Sequence, residues 1–268
     1  MTFVEVDDPD DERLAPFRRN ERGLSNRPQR REDAGAGWFM AEGDLVVERA
    51  LSAGCRPVAA LVDGARPPSV AFRLAELVPV HAGGDRVRAA ATRLGVPSPI
   101  VAIFERPPRP SVDDLASSST HLVVAEAVDN PSNVGSIVRS AAALGWHGLV
   151  LDRTSADPLA RRSLRVSMGH AVAFPHARTV DVADSLLRLH AAGFTSVALT
   201  PATSAPTIED LPRPARVALV VGAERSGLSD AVLAATTWRA RIRMAPEVDS
   251  LNVAAAVAIA CHALGPPT

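Results

Sequence analysis

From residue 38 onward, short apolar runs alternate with stretches of helical spacing. Residues 38–41, 58–62, 78–80 and 100–104 are apolar runs of strand length. Residues 45–51, closed by Gly54, and residues 84–94, stopped by Gly95, repeat their apolar positions with helical period. Strands and helices alternating over about 75 residues predict a small α/β domain at 32–105. A proline-rich then serine-rich stretch at 106–119 reads as a linker. Beyond it the pattern resumes, with strands predicted at 122–128, 148–151, 195–199, 216–221 and 239–242. Helices are predicted at 131–144, 158–166, 182–192 and 229–235, and a closing helix runs to Leu264. Five strands with intervening helices predict a second α/β domain over 120–268, its mostly parallel sheet covered on both faces.

Two helices depart from simple amphipathicity. From Leu251 to Leu264 only Asn252 and His262 are clearly polar, so this helix is predicted to be buried on nearly every side. That makes it a core helix or one shared with a homodimer interface, together with the 133–144 helix. Asp249 and Ser250 are the natural N-cap candidates. Asn252 then falls inside the first turn, where its amide needs partners that a polar ligand could supply. In the 131–144 helix, opened by Asn130 and Pro131, Val134, Ile137, Val138, Ala141 and Leu144 share one face. Ser132, Gly135, Ser136 and Arg139 share the opposite one, with Asn133 at the edge of the stripe. Gly135 there costs about 1 kcal/mol against alanine, which points to the close approach of another group.

Charge changes the picture at the amino terminus. The chain carries 29 basic and 30 acidic residues, so it is not a basic nucleic-acid binder overall. Residues 1–12 hold six acids and no base; residues 13–31 hold seven arginines against Glu21. A polar arm at 1–31 is expected, which fits both phosphate contact and a solvated terminus. All basic residues are arginine, so arginine by itself says little about function. Two distant cysteines, Cys55 and Cys261, suggest neither a disulfide framework nor a metal site. No apolar run reaches spanning length and the acidic start is unlike a signal peptide. A cytoplasmic location and no membrane partner are therefore expected.

Candidate chemistry concentrates after the strands of the second domain. Residues 220–229, Val-Val-Gly-Ala-Glu-Arg-Ser-Gly-Leu-Ser, carry an apolar strand into a loop with two glycines and then a helix. Loops at strand carboxyl ends are where open α/β sheets bind ligands. The loop lacks the Gly-Lys-Ser/Thr of a phosphate loop and the Gly-x-Gly-x-x-Gly of a dinucleotide site, which disfavours a nucleotide-dependent α/β enzyme. The residues themselves predict an α/β protein with a polar ligand site on three loops, near 199–201, 222–227 and 242–252.

Residues 130–139, Asn-Pro-Ser-Asn-Val-Gly-Ser-Ile-Val-Arg, resemble the first motif of the SpoU (TrmH-type) ribose methyltransferases of the SPOUT class. Residues 221–228 resemble the second motif, and Ile242-Arg243-Met244 with residues 250–254 resembles the third. Order and spacing agree across roughly residues 121–264. Residues 38–105 resemble, less specifically, the L30e-like substrate-binding domain common in that family. One departure is Arg243, where the family usually has proline; the loop loses a fixed φ and gains a charge.

The resemblance implies a deep carboxyl-terminal trefoil knot, S-adenosylmethionine as cofactor, and methylation of a ribose 2′-hydroxyl of RNA. It tilts the substrate to rRNA over tRNA. A non-catalytic RNA-binding protein keeping the fold is the other reading, disfavoured by the intact polar positions. Those positions are Asn133, Arg139, Glu224, Ser250 and Asn252. The implied cofactor contacts are Leu199, Thr200, Gly222, Glu224, Gly227, Ile242, Met244, Leu251, Asn252 and Val253. RNA contact is expected from Arg18, Arg19, Arg22, Arg30 and Arg31 in the arm, and from Arg139, Arg161, Arg162 and Arg165. No metal is expected.

Overall fold

Apolar runs become the central strands of two separate sheets. A computed structural model describes residues 3–25, 37–93, 97–245 and 247–266, with the side chain of Arg22 left undescribed. The chain divides into two units, Met1–Pro108 with Leu159–Ala173, and Arg109–Pro158 with Phe174–Thr268.

The first unit holds a five-stranded mixed sheet of β1 (Val4–Glu5), β2 (Trp38–Glu42), β3 (Pro57–Asp63), β4 (Val80–Gly83) and β5 (Ile100–Glu105). Their spatial order is β1-β4-β3-β5-β2, with β2 and β3 antiparallel to β5 and the other pairs parallel. The predicted strands and helices of residues 38–105 are present, and a helix at Ser69–Leu74 joins them.

Three expectations are corrected here. Residues 3–25 are not a solvated arm: Val6, Leu14, Phe17 and Leu24 are buried in this unit's core, and β1 adds an edge strand to β4. The four apolar side chains are spaced among many charges, which hid them. The second half of the expected linker is ordered. Ser111 and Asp114 form a reciprocal capping box on a helix at Val112–Ser118, whose Val112, Leu115 and Ala116 are buried. The domain boundaries also differ, because Leu159–Ala173 packs with the first unit.

The second unit is built on β6 (His121–Ala125), β7 (Gly148–Asp152), β8 (His176–Thr179), β9 (Thr195–Leu199), β10 (Val217–Val221) and β11 (Trp238–Ala240). All neighbouring pairs are parallel, in the order β11-β9-β10-β6-β7-β8. Strand β8, His-Ala-Arg-Thr, has no apolar run to reveal it. One face of the sheet is covered by a core that includes Leu115, Leu186, Leu189, Phe194 and Val232. The Pro131–Ala143 and Val253–Leu264 helices pack against each other, and the second also against β10. Strand β10 lies between β9 and β6, although it follows both in sequence.

Candidate active site

Parallel strands place all their carboxyl ends on one edge of the sheet. The segments leaving β6 at Ala125, β9 at Leu199, β10 at Val221 and β11 at Ala240 therefore emerge side by side. Between three of them lies a cleft of about 490 Å³. The expected Leu199, Thr200, Gly222, Glu224, Gly227, Ile242, Met244, Ser250, Leu251 and Val253 line it, whereas Asn252, also expected as a cofactor contact, is not among the lining residues. Sequence reasoning missed Val221, Leu228, Leu233 and Ala256 as lining residues; their apolar character reads equally as core. Glu224 and Arg225 are the only charged side chains among the described lining residues.

The loop after β10 is closed on itself. Ala223 accepts a hydrogen bond from the Gly227 amide at 3.0 Å, and Gly227 turns the chain at φ +68°. A Cβ placed on Gly222 would overlap the carbonyl group of Gly227 and crowd the Leu228 amide. Gly222 is thus needed for the loop to close as well as to leave room in the cleft. A valine there would displace the loop itself rather than merely occupy a ligand's space.

Asn133, Glu224 and Asn252 meet at one point, although 119 residues separate the first from the last. The Asn133 Nδ2 and the Asn252 Nδ2 each donate to Glu224 Oε1 at 2.8 Å. Asn252 Nδ2 also donates to Asn133 Oδ1 at 3.1 Å. Asn252 turns out to be the N-cap of the Val253–Leu264 helix, its Oδ1 accepting from the Ala254 amide at 2.9 Å and the Ala255 amide at 3.3 Å. This corrects the expected cap at Asp249 or Ser250 and accounts for the full amide: oxygen to the helix, nitrogen to Glu224 and Asn133. Asn133 is only 7 % exposed, so its amide is a buried polar group fully drawn into the junction. Ser250 lines the cleft but takes no part in this junction.

Arg139 lies on the same helix as Asn133, fewer than two turns further along. It is exposed, and no hydrogen bond or ion pair engages it among the described residues. That distinguishes it from several other expected RNA contacts. Arg161 is engaged within the first unit, pairing with Glu42 and donating to the Thr92 carbonyl at 3.3 Å. Arg165 pairs with the other oxygen of Glu42 at 2.6 Å. The carboxylate of Glu42 is almost fully buried between them, so both arginines serve first to neutralise it. Arg18 donates to the carbonyls of Pro9, at 2.6 Å, and Asp11, at 3.1 Å. Arg19 lies over the Trp38 ring at 5.6 Å, and Arg162 is exposed and has a partner. Arg30, Arg31 and the Arg22 side chain fall outside the described residues.

No group of three or more His, Cys, Asp or Glu side chains among the described residues is arranged to hold a metal. No described helix is long and apolar enough to cross a membrane.

A parallel sheet with a cleft at its carboxyl edge, and a polar junction joining three distant segments beside it, is the architecture of a ligand-binding α/β protein. The chain belongs to the SpoU rRNA Methylase family, which matches residues 120–262, and is an RNA methyltransferase of that family. It is 37% identical over 279 residues to an uncharacterized tRNA/rRNA methyltransferase of Mycobacterium tuberculosis, covering 100% of this chain and 96% of that one. It is 30% identical to the 23S rRNA (uridine(2479)-2′-O)-methyltransferase of Streptomyces viridochromogenes, covering 94% of this chain and 90% of that one. Among solved structures it resembles the SpoU methyltransferase AviRb from Streptomyces viridochromogenes in complex with the cofactor AdoMet. There the TM-score is 0.79 at 26% identity, covering 95% of this chain and 97% of that one.

Proposed function

We propose that this chain methylates a ribose 2′-hydroxyl of rRNA, with S-adenosylmethionine as methyl donor. The observation that carries the reading is the Asn133–Glu224–Asn252 junction, set between the cleft and the helix bearing an unengaged Arg139. The rRNA 2′-O specificity draws its support from the Streptomyces viridochromogenes relative.

The cleft suits an adenosine with a charged tail. Leu199, Ile242, Met244 and Leu251 give it apolar walls. Gly222 and Thr200 bring backbone groups to its edge, and Glu224 with Arg225 offer one charge of each sign to a zwitterion. When bound, S-adenosylmethionine supplies an electrophilic methyl group on a sulfonium. The residues of this chain then orient the acceptor hydroxyl, whose proton passes to solvent water as its oxygen attacks the methyl group. Asn133 and Asn252 fix Glu224, and so fix the loop that walls the cleft. A ribose hydroxyl must lose its proton to become a good nucleophile, and Arg139 is the free cation on the adjoining helix. Guanidinium essentially never deprotonates in proteins. Arg139 therefore acts chiefly as a cation, stabilising the developing alkoxide and holding a neighbouring phosphate.

The first unit serves as the RNA-capturing domain, L30e-like in kind. The protein acts as a homodimer through the Pro131–Ala143 and Val253–Leu264 helices, where Ile259 remains 41% exposed beside the exposed Ala255 and His262. A trefoil knot formed by the segment after β10 belongs to the same reading.

The test is a map of 2′-O-methylated nucleotides in RNA from cells with and without the gene. Loss of one rRNA methyl group on deletion, restored by the wild-type gene, supports the reading. A lost tRNA methyl group would move the substrate, and an unchanged map would overturn the activity.

A further inference from the structure

Glu126 follows β6 directly and reaches both ends of the loop that walls the cleft. Its backbone amide donates to the Val221 carbonyl at 2.9 Å, immediately before Gly222. Its carboxylate accepts from the Ser229 amide at 2.8 Å and from the Ser229 hydroxyl at 2.8 Å, immediately after Leu228. Ser229 in turn is the N-cap of the Asp230–Ala235 helix, its oxygen accepting from the Val232 amide at 3.3 Å. One residue thus grips the entry and the exit of the loop at 222–228. Inside that base the loop is braced by Ala223 with Gly227 and by the close fit of Gly222. At its tip Glu224 holds Asn133 and Asn252.

We infer that Glu126 is a positioning residue of the methyltransferase, a clamp that sets the loop for cofactor binding. The inference rests on the reading of the cleft as the S-adenosylmethionine site. Its physical basis is that a carboxylate accepting from one residue's backbone amide and from its side-chain hydroxyl fixes both at once. Charge-assisted bonds of this kind are about twice as strong as neutral ones. The adjoining segment, residues 127–130, leads straight into the helix carrying Asn133 and Arg139. The same residue therefore ties the cofactor loop to the start of the catalytic helix. No step of the reaction needs Glu126 to touch substrate.

The experiment uses the full chain as wild type, Glu126→Ala, Glu126→Gln and Ser229→Ala. Amide hydrogen exchange is read first, without cofactor. In Glu126→Ala the amides of residues 222–229 are expected to exchange at least about ten-fold faster, while those of β10 stay protected. Glu126→Gln, which keeps one accepting oxygen, should fall between. S-adenosylmethionine affinity by calorimetry should drop about ten-fold in Glu126→Ala, the scale of losing a hydrogen bond to a charged group. RNA affinity should stay within about two-fold, because no RNA-contacting group is altered. Glu126→Ala and Ser229→Ala share only the bond from the Ser229 hydroxyl, since Ser229→Ala also removes the cap on the Val232 amide and Glu126→Ala also frees the Ser229 amide. The double variant should therefore cost less than the sum of the two singles. Unchanged exchange at 222–229 in Glu126→Ala overturns the clamp. So does faster exchange spread equally over β10, which marks general loosening. A wild-type chain with no affinity for S-adenosylmethionine would instead overturn the cofactor reading, whatever the exchange data show.

Discussion

At the scale of single residues, the site separates groups engaged by the fold from groups left for a substrate. Asn133 and Glu224 are held by each other and by Asn252, whereas Arg139 is exposed. Substituting Arg139 should therefore leave the cleft intact and strike the chemistry. Arg139→Ala is expected to bind S-adenosylmethionine normally and to lose about 10²-fold or more in single-turnover methyl transfer, as for removal of one transition-state donor. Arg139→Lys keeps the charge but not the two-pronged grip on phosphate. If the lysine enzyme is fast and its rate gains a new basic limb with pH, proton abstraction at position 139 replaces the cation account. Full activity in Arg139→Ala would make it an ordinary solvated arginine.

At the scale of elements, the Val253–Leu264 helix shows how far the sequence could be read. Its nearly unbroken apolar character announced burial on nearly every side; Val257, Ala260, Cys261 and Leu264 are buried, whereas Ala255, Ile259 and His262 are exposed and leave one face uncovered. The anomaly of a polar residue at 252 was equally visible. Its solution was not, because the partners lie on loops far away in sequence. Spacing alone cannot place the Asn133 and Glu224 side chains against Asn252. The same limit explains residues 3–25, whose core contacts with Val87 and Ala91 are long-range, and β8, which owes its strand to pairing with β7 rather than to its own composition. The strand–loop–helix outline of the site was legible because short-range pattern determines it. Asn252 does two jobs that separate substitutions can split. Asn252→Ala should lose both the cap and the link to Glu224, costing about 1 kcal/mol of stability from the cap. Asn252→Ser keeps an N-capping oxygen but has no amide nitrogen for Glu224. It should recover most of the thermal midpoint while methyl transfer stays as low as in Asn252→Ala. Recovery of activity in step with stability would reduce Asn252 to a cap.

At the scale of the whole molecule, buried histidines and surface arginines govern the response to solution conditions. Burial lowers the pKa of His176 to about 3 and also lowers those of His81, His121 and His190, with nearby positive charge adding to the effect at all but the last. Each folded value lies below the unfolded value of about 6.5. Below that pH the unfolded chain takes up protons that the folded chain refuses, so stability is full above about pH 6.5 and falls steadily towards pH 3. Chemical denaturation at a series of pH values should show this decline, and a flat profile between pH 7 and 5 would contradict it. RNA capture needs a different test from simple truncation. Removing residues 1–31 would take away Leu14 and Phe17, which are fully buried, and is expected to unfold the first unit. Charge substitution avoids that loss. Arg161 and Arg165 are paired with Glu42 and Arg18 with backbone carbonyls, so, apart from Arg139, the expected phosphate contacts to test next are Arg22, Arg30 and Arg31. Replacing these three by glutamine should keep the thermal midpoint and S-adenosylmethionine affinity while weakening RNA binding. Each phosphate contact to a single strand contributes about −0.7 to the slope of log affinity against log salt. The triple variant should therefore flatten that slope by about 2 if all three touch phosphate. An unchanged slope would show that the RNA is gripped elsewhere.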